Sequence, residues 1–318
     1  GAILTRCGRA NLSMPGGCEL GPRPIDLHLS ALRQLGAQIQ EGGGRLRCET
    51  GEMRGREITL SIPSVGATEN VILAACGCEG TTILMNAARE PEIQDLQTFL
   101  QGMGHKVRGA GSSTVTIQGR SPTHDSEHTI MPDRIVAATY LAAVAAAGGE
   151  VELRQVDYRH LATVTGALHE AGCQIHSTGD AVLLRSSGEL HSIRPVRTAP
   201  YPGFPTDAQA VLMAALLKSR GATVFVENIF ENRYRHVDEL IRMGADIRVE
   251  GRVAVVCGVD RLQGAQVQAT DLRGGAALVV AALSAQGESR IGCIHHIQRG
   301  YEDIARDLRS LGGQIQER

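Results

Sequence analysis

Apolar residues along this chain alternate between two rhythms, Ala- and Leu-rich runs with helical spacing and short β-branched runs that read as strands. The alternation is itself repeated. A helix ending in glycine and followed by an Ile or Val strand recurs as LRQLGAQI, LQGMGHKV, LHEAGCQI, LIRMGADI and LRSLGGQI. Its glycines, Gly36, Gly104, Gly172, Gly244 and Gly312, are separated by 68, 68, 72 and 68 residues.

Each unit also has an earlier helix, opened by a polar motif and closed by glycine: ATENVILAACGCEG, PDRIVAATYLAAVAAAGGE, TDAQAVLMAALLKSRG and TDLRGGAALVVAALSAQGE. Asp or Thr at these openings has the character of an N-cap. The small residues inside suit a helix buried on most sides. Strands such as TTILM, EVELRQV and TVFVEN follow, then the second helix and one or two more strands such as STVTIQG or VAVVCGV. One unit therefore reads helix, strand, helix, strand, strand, an α/β architecture. Four openings against five closings predict that the chain begins part-way through a unit. Six units would need roughly 400 residues, so the repeat predicts an assembly lacking roughly its first 90 to 100, with five units as the competing count. The expected domains are residues 1–131, about two units, and 132–318, three units.

At 318 residues the chain is long for a single core. Its 32 Lys plus Arg nearly balance 34 Asp plus Glu, which gives no overall field for nucleic acid or an anionic membrane. Only Lys106 and Lys218 are lysines, so arginine must recognise any carboxylate or phosphate. Aromatics are 3% and Trp is absent, leaving few platforms for stacking bases. The longest mostly apolar stretch, Ile135 to Ala147, falls short of the roughly 20 residues a bilayer needs. GAILTRCGRA lacks the form of a secretory signal. Eight cysteines lie scattered without metal-ligand spacing, as reduced thiols of a soluble cytoplasmic protein would.

Four strings carry candidate chemistry. PGGCELGPRP puts Cys18 after two glycines and Arg23 five residues on, a mobile loop whose arginine would stabilise a thiolate, or else a surface turn with an incidental cysteine. IPSVGATEN turns from a strand through Ser64, Val65 and Gly66 into a helix, a place suited to phosphate or simply a capped helix with a glycine bend. TAPYPGFPTDAQA holds Asp207 at a helix start, where it is a general base or a cap. Asp133 and Asp271 occupy the equivalent place in neighbouring units, so most of these aspartates should be caps and few catalytic. FENRYRH and HHIQRGYE each place arginine beside an aromatic, to bind an anionic substrate or to form exposed salt bridges, and Glu90 and Glu92 of NAAREPEIQD could answer them.

Read in order, PGGCELGPRPIDLH, PSVGATEN, NAAREPEI, PDRI, TAPYPGFPTDAQA, FENRYRHVDEL, RMGAD, ATDLR and RGYE resemble the UDP-N-acetylglucosamine 1-carboxyvinyltransferase family of enolpyruvyl transferases from one end of the chain to the other. The resemblance implies an inside-out α/β barrel pair, three units to a domain, with a cleft that closes over substrate. It implies transfer of enolpyruvyl from phosphoenolpyruvate to the 3'-hydroxyl of UDP-N-acetylglucosamine with release of phosphate, in peptidoglycan synthesis, with no metal or organic cofactor. Cys18 then matches the loop thiol that forms an adduct with phosphoenolpyruvate and that fosfomycin alkylates. Asp207 matches the carboxylate beside the sugar hydroxyl, Asp271 a second carboxylate near the reacting centre, and Arg299 an arginine that closes on phosphoenolpyruvate. The nucleotide sugar falls to Arg23, Pro24, Asp26, Leu27 and His28, to Ser64, Val65 and Gly66, and to Ile229 and Phe230.

The chain departs from the family's pattern at Gln298, usually Asp, and at Gly274-Gly275, usually Ala-Ser, and it lacks the family's Lys-Asn pair near the N-terminus. Two alternatives stand beside the main reading. One is the sister enzyme that acts on shikimate 3-phosphate, which would not need Cys18. The other is a non-catalytic or truncated paralogue that binds the UDP-sugar only. Oligomeric state is not legible in the sequence.

Overall fold

The computed structural model describes residues 1–14 and 25–317, which fall into two compact units. The first comprises residues 1–14, 25–131 and 200–202, the second 132–199 and 203–317.

In the first unit the elements run α1 (Ala2–Cys7), β1 (Arg9–Ser13), α2 (Asp26–Gln34), β2 (Ala37–Gly42) and β3 (Arg45–Thr50), then β4 (Glu57–Thr59), α3 (Val65–Cys76), β5 (Thr81–Met85), α4 (Pro91–Gly102), β6 (Lys106–Arg108) and β7 (Thr114–Gln118). They form two sheets, β1-β3-β2 and β4-β5-β7-β6. In the second, β4 runs parallel to β5 with Ile58 opposite Leu84, and the other pairings are antiparallel. Alternation along the strands aims Leu46, Cys48, Val115 and Ile117 at the same core as Ala67, Val71 and Ile72 of α3.

The second unit continues with α5 (Arg134–Ala147), β8 (Gly149–Arg154), α6 (Tyr158–Glu170), β9 (Gln174–Thr178), β10 (Ala181–Ser186), β11 (Val196–Arg197), α7 (Thr206–Ala215), β12 (Ala222–Val226), α8 (Val237–Arg242), β13 (Asp246–Glu250), β14 (Val253–Cys257), β15 (Gln266–Gln268), α9 (Leu272–Leu283), β16 (Arg290–Gly292), α10 (His295–Gln298) and α11 (Ile304–Ser310). Its sheets are β8-β10-β9, β11-β12-β14-β13 and the parallel pair β15-β16. Helices α5, α7 and α9 pack on one another. They can approach closely because their inner residues are small: Ala138, Ala142 and Ala145 on α5, Ala208, Ala210 and Ala214 on α7, Gly274, Gly275 and Ala277 on α9, all buried.

The repeat has a backbone cause. Gly36, Gly104, Gly172, Gly244 and Gly312 have φ of 105°, 98°, 109°, 92° and 96°, a region that side chains disfavour, and each ends a helix. Each donates its N–H to the carbonyl three residues back, from Gly36 to Arg33 through to Gly312 to Arg309. A side chain at any of them would oppose the turn that sends the chain into its strand.

The helix-strand-helix-strand-strand reading holds for the unit from α3 to β7, for that from α5 to β10 and for that from α7 to β14. It lacked the short parallel strands β4, β11 and β15, which bring the chain into the next unit with two or three residues each, too few for any periodicity. Among the described residues no helix is long and apolar enough to cross a membrane, and seven cysteines are free.

Candidate active site

The starts of the four small-residue helices differ in a way that bears on chemistry. Ser64 caps α3 by accepting from the Ala67 N–H at 3.4 Å. The Asp133 carboxylate caps α5 through the N–H groups of Ile135 and Val136 at 2.8 and 3.0 Å. Asp271 caps α9 through Arg273 and Gly274 at 3.1 and 3.0 Å, and its other oxygen accepts from the Thr270 hydroxyl at 3.1 Å. At α7 the cap position is Pro205, which offers no acceptor side chain, and Asp207 sits within the first turn. It is not a cap.

Asp207 is held from below instead. The Arg233 guanidinium, only 2% exposed, donates to Asp207 Oδ1 at 2.8 Å and to the Thr206 carbonyl at 3.0 Å. The same guanidinium lies over the Phe230 ring at 5.7 Å. The Asp207 side chain remains 44% exposed, and its Oδ2 has no hydrogen-bond partner among the described residues. A carboxylate with one oxygen fixed and the other free is placed to accept a proton.

Ile229 and Phe230 follow β12 in a loop ordered by Glu227, a carboxylate that sequence reasoning missed. Glu227 is 1% exposed. Its Oε1 accepts from the N–H groups of Ile229 and Phe230 at 2.8 and 3.0 Å, and its Oε2 accepts from the Thr206 hydroxyl at 3.0 Å. Asn228 adds two bonds to Thr198, N–H to Oγ1 at 2.8 Å and amide to carbonyl at 3.0 Å. Glu at a strand end is unremarkable in sequence; the only hint was its place directly before the loop.

His236, completely buried, was likewise not foreseen. Neither ring nitrogen has a hydrogen-bond partner among the described residues. Burial pushes its pKa down to about 4, the Asp271 carboxylate opposing the fall and the Arg233 charge adding to it. The imidazole is neutral near pH 7. A side chain added at Gly274 would begin 2.9 Å from His236 Cβ and 2.6 Å from Asp271 Oδ2. At Gly275 it would meet Ile297 Cγ1 at 2.6 Å and Ala269 Cβ at 2.9 Å. These two departures from the family pattern therefore admit close packing of α9 against His236 and α10.

Arg299 caps the C-terminal end of α10 and is exposed, with no ion pair among the described residues. Its neighbour Tyr301 is buried, with its hydroxyl bonded to Thr139 at 2.7 Å and Arg273 at 3.2 Å. Of the two readings left open for the FENRYRH and HHIQRGYE arginines, Arg233 forms an ion pair that is buried rather than exposed, while Arg299 is open to solvent. Glu90 accepts the Tyr201 N–H at 3.3 Å and has no arginine partner among the described residues.

In the first unit, Asp26, Leu27 and His28 open α2, and α2 packs on α3, whose start carries Ser64, Val65 and Gly66. His28 Cε1 lies 3.3 Å from where a Gly66 side chain would begin, and His28 Nδ1 is 3.3 Å from the Asn70 amide. Burial lowers the His28 pKa, with Asp26 opposing. These two predicted groups are thus brought together. Cys18, Arg23 and Pro24 lie outside the described residues.

A family profile described as EPSP synthase (3-phosphoshikimate 1-carboxyvinyltransferase) matches residues 1–308. The enolpyruvyl transferase NikO from Streptomyces tendae superposes with a TM-score of 0.86 at 26% identity, over 99% of this chain and 75% of that one. EPSP synthase from Acinetobacter baumannii superposes with a TM-score of 0.69 at 20% identity, over 95% of this chain and 74% of that one, a likeness of fold. The class is therefore that of the enolpyruvyl transferases. UDP-N-acetylglucosamine 1-carboxyvinyltransferase 2 of Caldanaerobacter subterraneus subsp. tengcongensis is 47% identical over 99% of this chain and 76% of its own length. The chain belongs to the UDP-N-acetylglucosamine 1-carboxyvinyltransferase family. The loss of roughly the first 90 to 100 residues expected from the repeat gains no support from these matches, which establish the 76% span.

Proposed function

We propose that this chain transfers the enolpyruvyl group of phosphoenolpyruvate to the 3'-hydroxyl of UDP-N-acetylglucosamine, releasing phosphate, in the cytoplasmic synthesis of peptidoglycan. The observation that carries the reading is Asp207, withheld from capping, fixed by a buried arginine through one oxygen and open at the other. In this reading its free oxygen takes the proton of the sugar hydroxyl as the hydroxyl oxygen bonds to C2 of phosphoenolpyruvate and C3 gains a proton, and loss of phosphate from C2 with a proton from C3 then restores the double bond. Ile229 and Phe230, on the loop beside it, hold the sugar. Arg299, exposed and without an ion pair among the described residues, suits the carboxylate or phosphate of phosphoenolpyruvate, with Arg23 assigned to the same substrate. Cys18 is assigned the adduct with phosphoenolpyruvate and Asp271 a supporting carboxylate. The start of α3, with Ser64, Val65 and Gly66, offers outward N–H groups and the positive helix end to a diphosphate, beside Asp26, Leu27 and His28 and next to Pro24 in sequence.

Phosphate release tests this directly on the full gene product. Release is expected only with phosphoenolpyruvate and UDP-N-acetylglucosamine together. Release with shikimate 3-phosphate in place of the UDP-sugar would favour the sister activity. Binding of the UDP-sugar with no release would favour the non-catalytic reading.

A further inference from the structure

Glu227 is a carboxylate buried to 1% exposure with no cationic partner among the described residues, in a protein that has arginines to spare. Burying such a group is costly unless its oxygens are fully used. Here three donors use them, and their places in the chain are informative. Two are backbone N–H groups two and three residues on, Ile229 and Phe230. A short Asp, Asn or Ser would have served for that turn alone. The third is the Thr206 hydroxyl, 21 residues earlier and adjacent to Asp207. The longer glutamate side chain, with its second oxygen, is what spans from the loop to the helix start.

The neighbouring bonds act in the same direction. Asn228 fixes Thr198 at one end of the segment leading to α7, while Glu227 fixes Thr206 at the other. The Glu227 N–H is itself anchored to the Arg252 carbonyl at 2.8 Å, so the carboxylate projects from a strand end that cannot drift. Arg233 then joins the two sides again, through Asp207, the Thr206 carbonyl and the Phe230 ring.

We propose that Glu227 is a positioning residue that sets the distance between the Ile229-Phe230 loop and the Asp207 carboxylate, and thereby the fit of the acceptor sugar. The inference rests on the transferase reading above. It separates the substrates: loosening this clamp disturbs the sugar and its base, and leaves untouched the groups assigned to phosphoenolpyruvate.

The test is steady-state kinetics of the full-length protein with each substrate varied in turn. Glu227→Ala is expected to raise KM for UDP-N-acetylglucosamine by about tenfold or more, the scale of losing two or three such bonds, with KM for phosphoenolpyruvate within about twofold. Glu227→Gln keeps an acceptor for the loop and a donor for the Thr206 oxygen, so most of the affinity returns. Thr206→Val, which removes only the long-range bond and keeps the branched shape, gives a partial rise of about threefold. Amide hydrogen exchange supplies a readout that needs no substrate: the Ile229 and Phe230 amides exchange at least about tenfold faster in Glu227→Ala. Equal loss across both KM values, a loss confined to kcat in proportion to melting temperature, or unchanged exchange at the two amides would each overturn the proposal. If the wild-type protein turns over neither acceptor, the transferase reading fails while the exchange result still decides whether Glu227 orders the loop.

Discussion

Replacing Arg233 by Met keeps the bulk of an unbranched side chain and removes the guanidinium that holds Asp207. Breaking a fully buried ion pair costs about 3–5 kcal/mol because the survivor is stranded in the interior. That figure is too large here, since Asp207 is 44% exposed and water can solvate it once released. What is lost is the pair of charge-assisted bonds at 2.8 and 3.0 Å, worth about 1.5–3 kcal/mol. The contact over Phe230 at 5.7 Å adds about 0.5–1 kcal/mol. A total of about 2–4 kcal/mol corresponds to a fall in melting temperature of roughly 4–16 °C for a unit of this size. Activity should fall further than stability, because a carboxylate displaced by an ångström costs about a hundredfold in rate. Differential scanning calorimetry and phosphate release would be measured on Arg233→Met, Asp207→Asn and the double variant. If Arg233 acts through Asp207, the double variant is no slower than the slower single one. Fully additive losses, or a single variant that melts within about 1 °C of wild type with turnover within about twofold, would refute the anchoring argument.

Three further outcomes follow from the same geometry. His236, with its pKa depressed from 6.5 to about 4, binds fewer protons folded than unfolded, so its contribution to stability is intact above about pH 6.5 and is lost as pH falls toward 4. Urea unfolding should show a loss of order 3 kcal/mol by pH 4 that is absent in His236→Gln. Asp133→Ala removes a cap with two good bonds and should cost about 1 kcal/mol with turnover unchanged, whereas Asp271→Ala should lose a similar stability and also turnover, as thermal melts and phosphate release would record. Cys18→Asp should retain turnover yet lose sensitivity to fosfomycin, because a carboxylic acid exchanges protons but is a poor target for an epoxide. Equal inhibition of that variant would remove Cys18 from its role.

What could be read from sequence was whatever local backbone geometry enforces. The glycine that closes each unit recurs because every copy needs the same positive φ, and the small residues of α5, α7 and α9 recur because those helices pack together. Contacts joining distant segments were not legible. Arg233 reaches back 26 residues to Asp207 and Glu227 reaches back 21 to Thr206, and neither partner leaves a mark in any window of the chain. Arginine beside an aromatic can be seen in the sequence, but burial decides between anchor and ligand, and burial is a property of the packed unit. That is why Arg233 and Arg299, alike on paper, differ in the fold.

The aspartates show how a repeat can conceal a member that differs from the others. A capping carboxylate gives an oxygen to backbone N–H groups at the helix start, as Asp133 and Asp271 do. At α7 the proline before Thr206 takes the cap position and moves the acid into the first turn. There it still feels the favourable positive end of the helix, but its oxygens are released from the backbone. A buried arginine then claims one of them and leaves the second open. A displacement of two residues from cap position to first turn thus converts a structural acid into one able to accept a proton. The general-base role proposed for Asp207 thus rests on the copy that breaks the pattern, and the pattern is what makes the break visible.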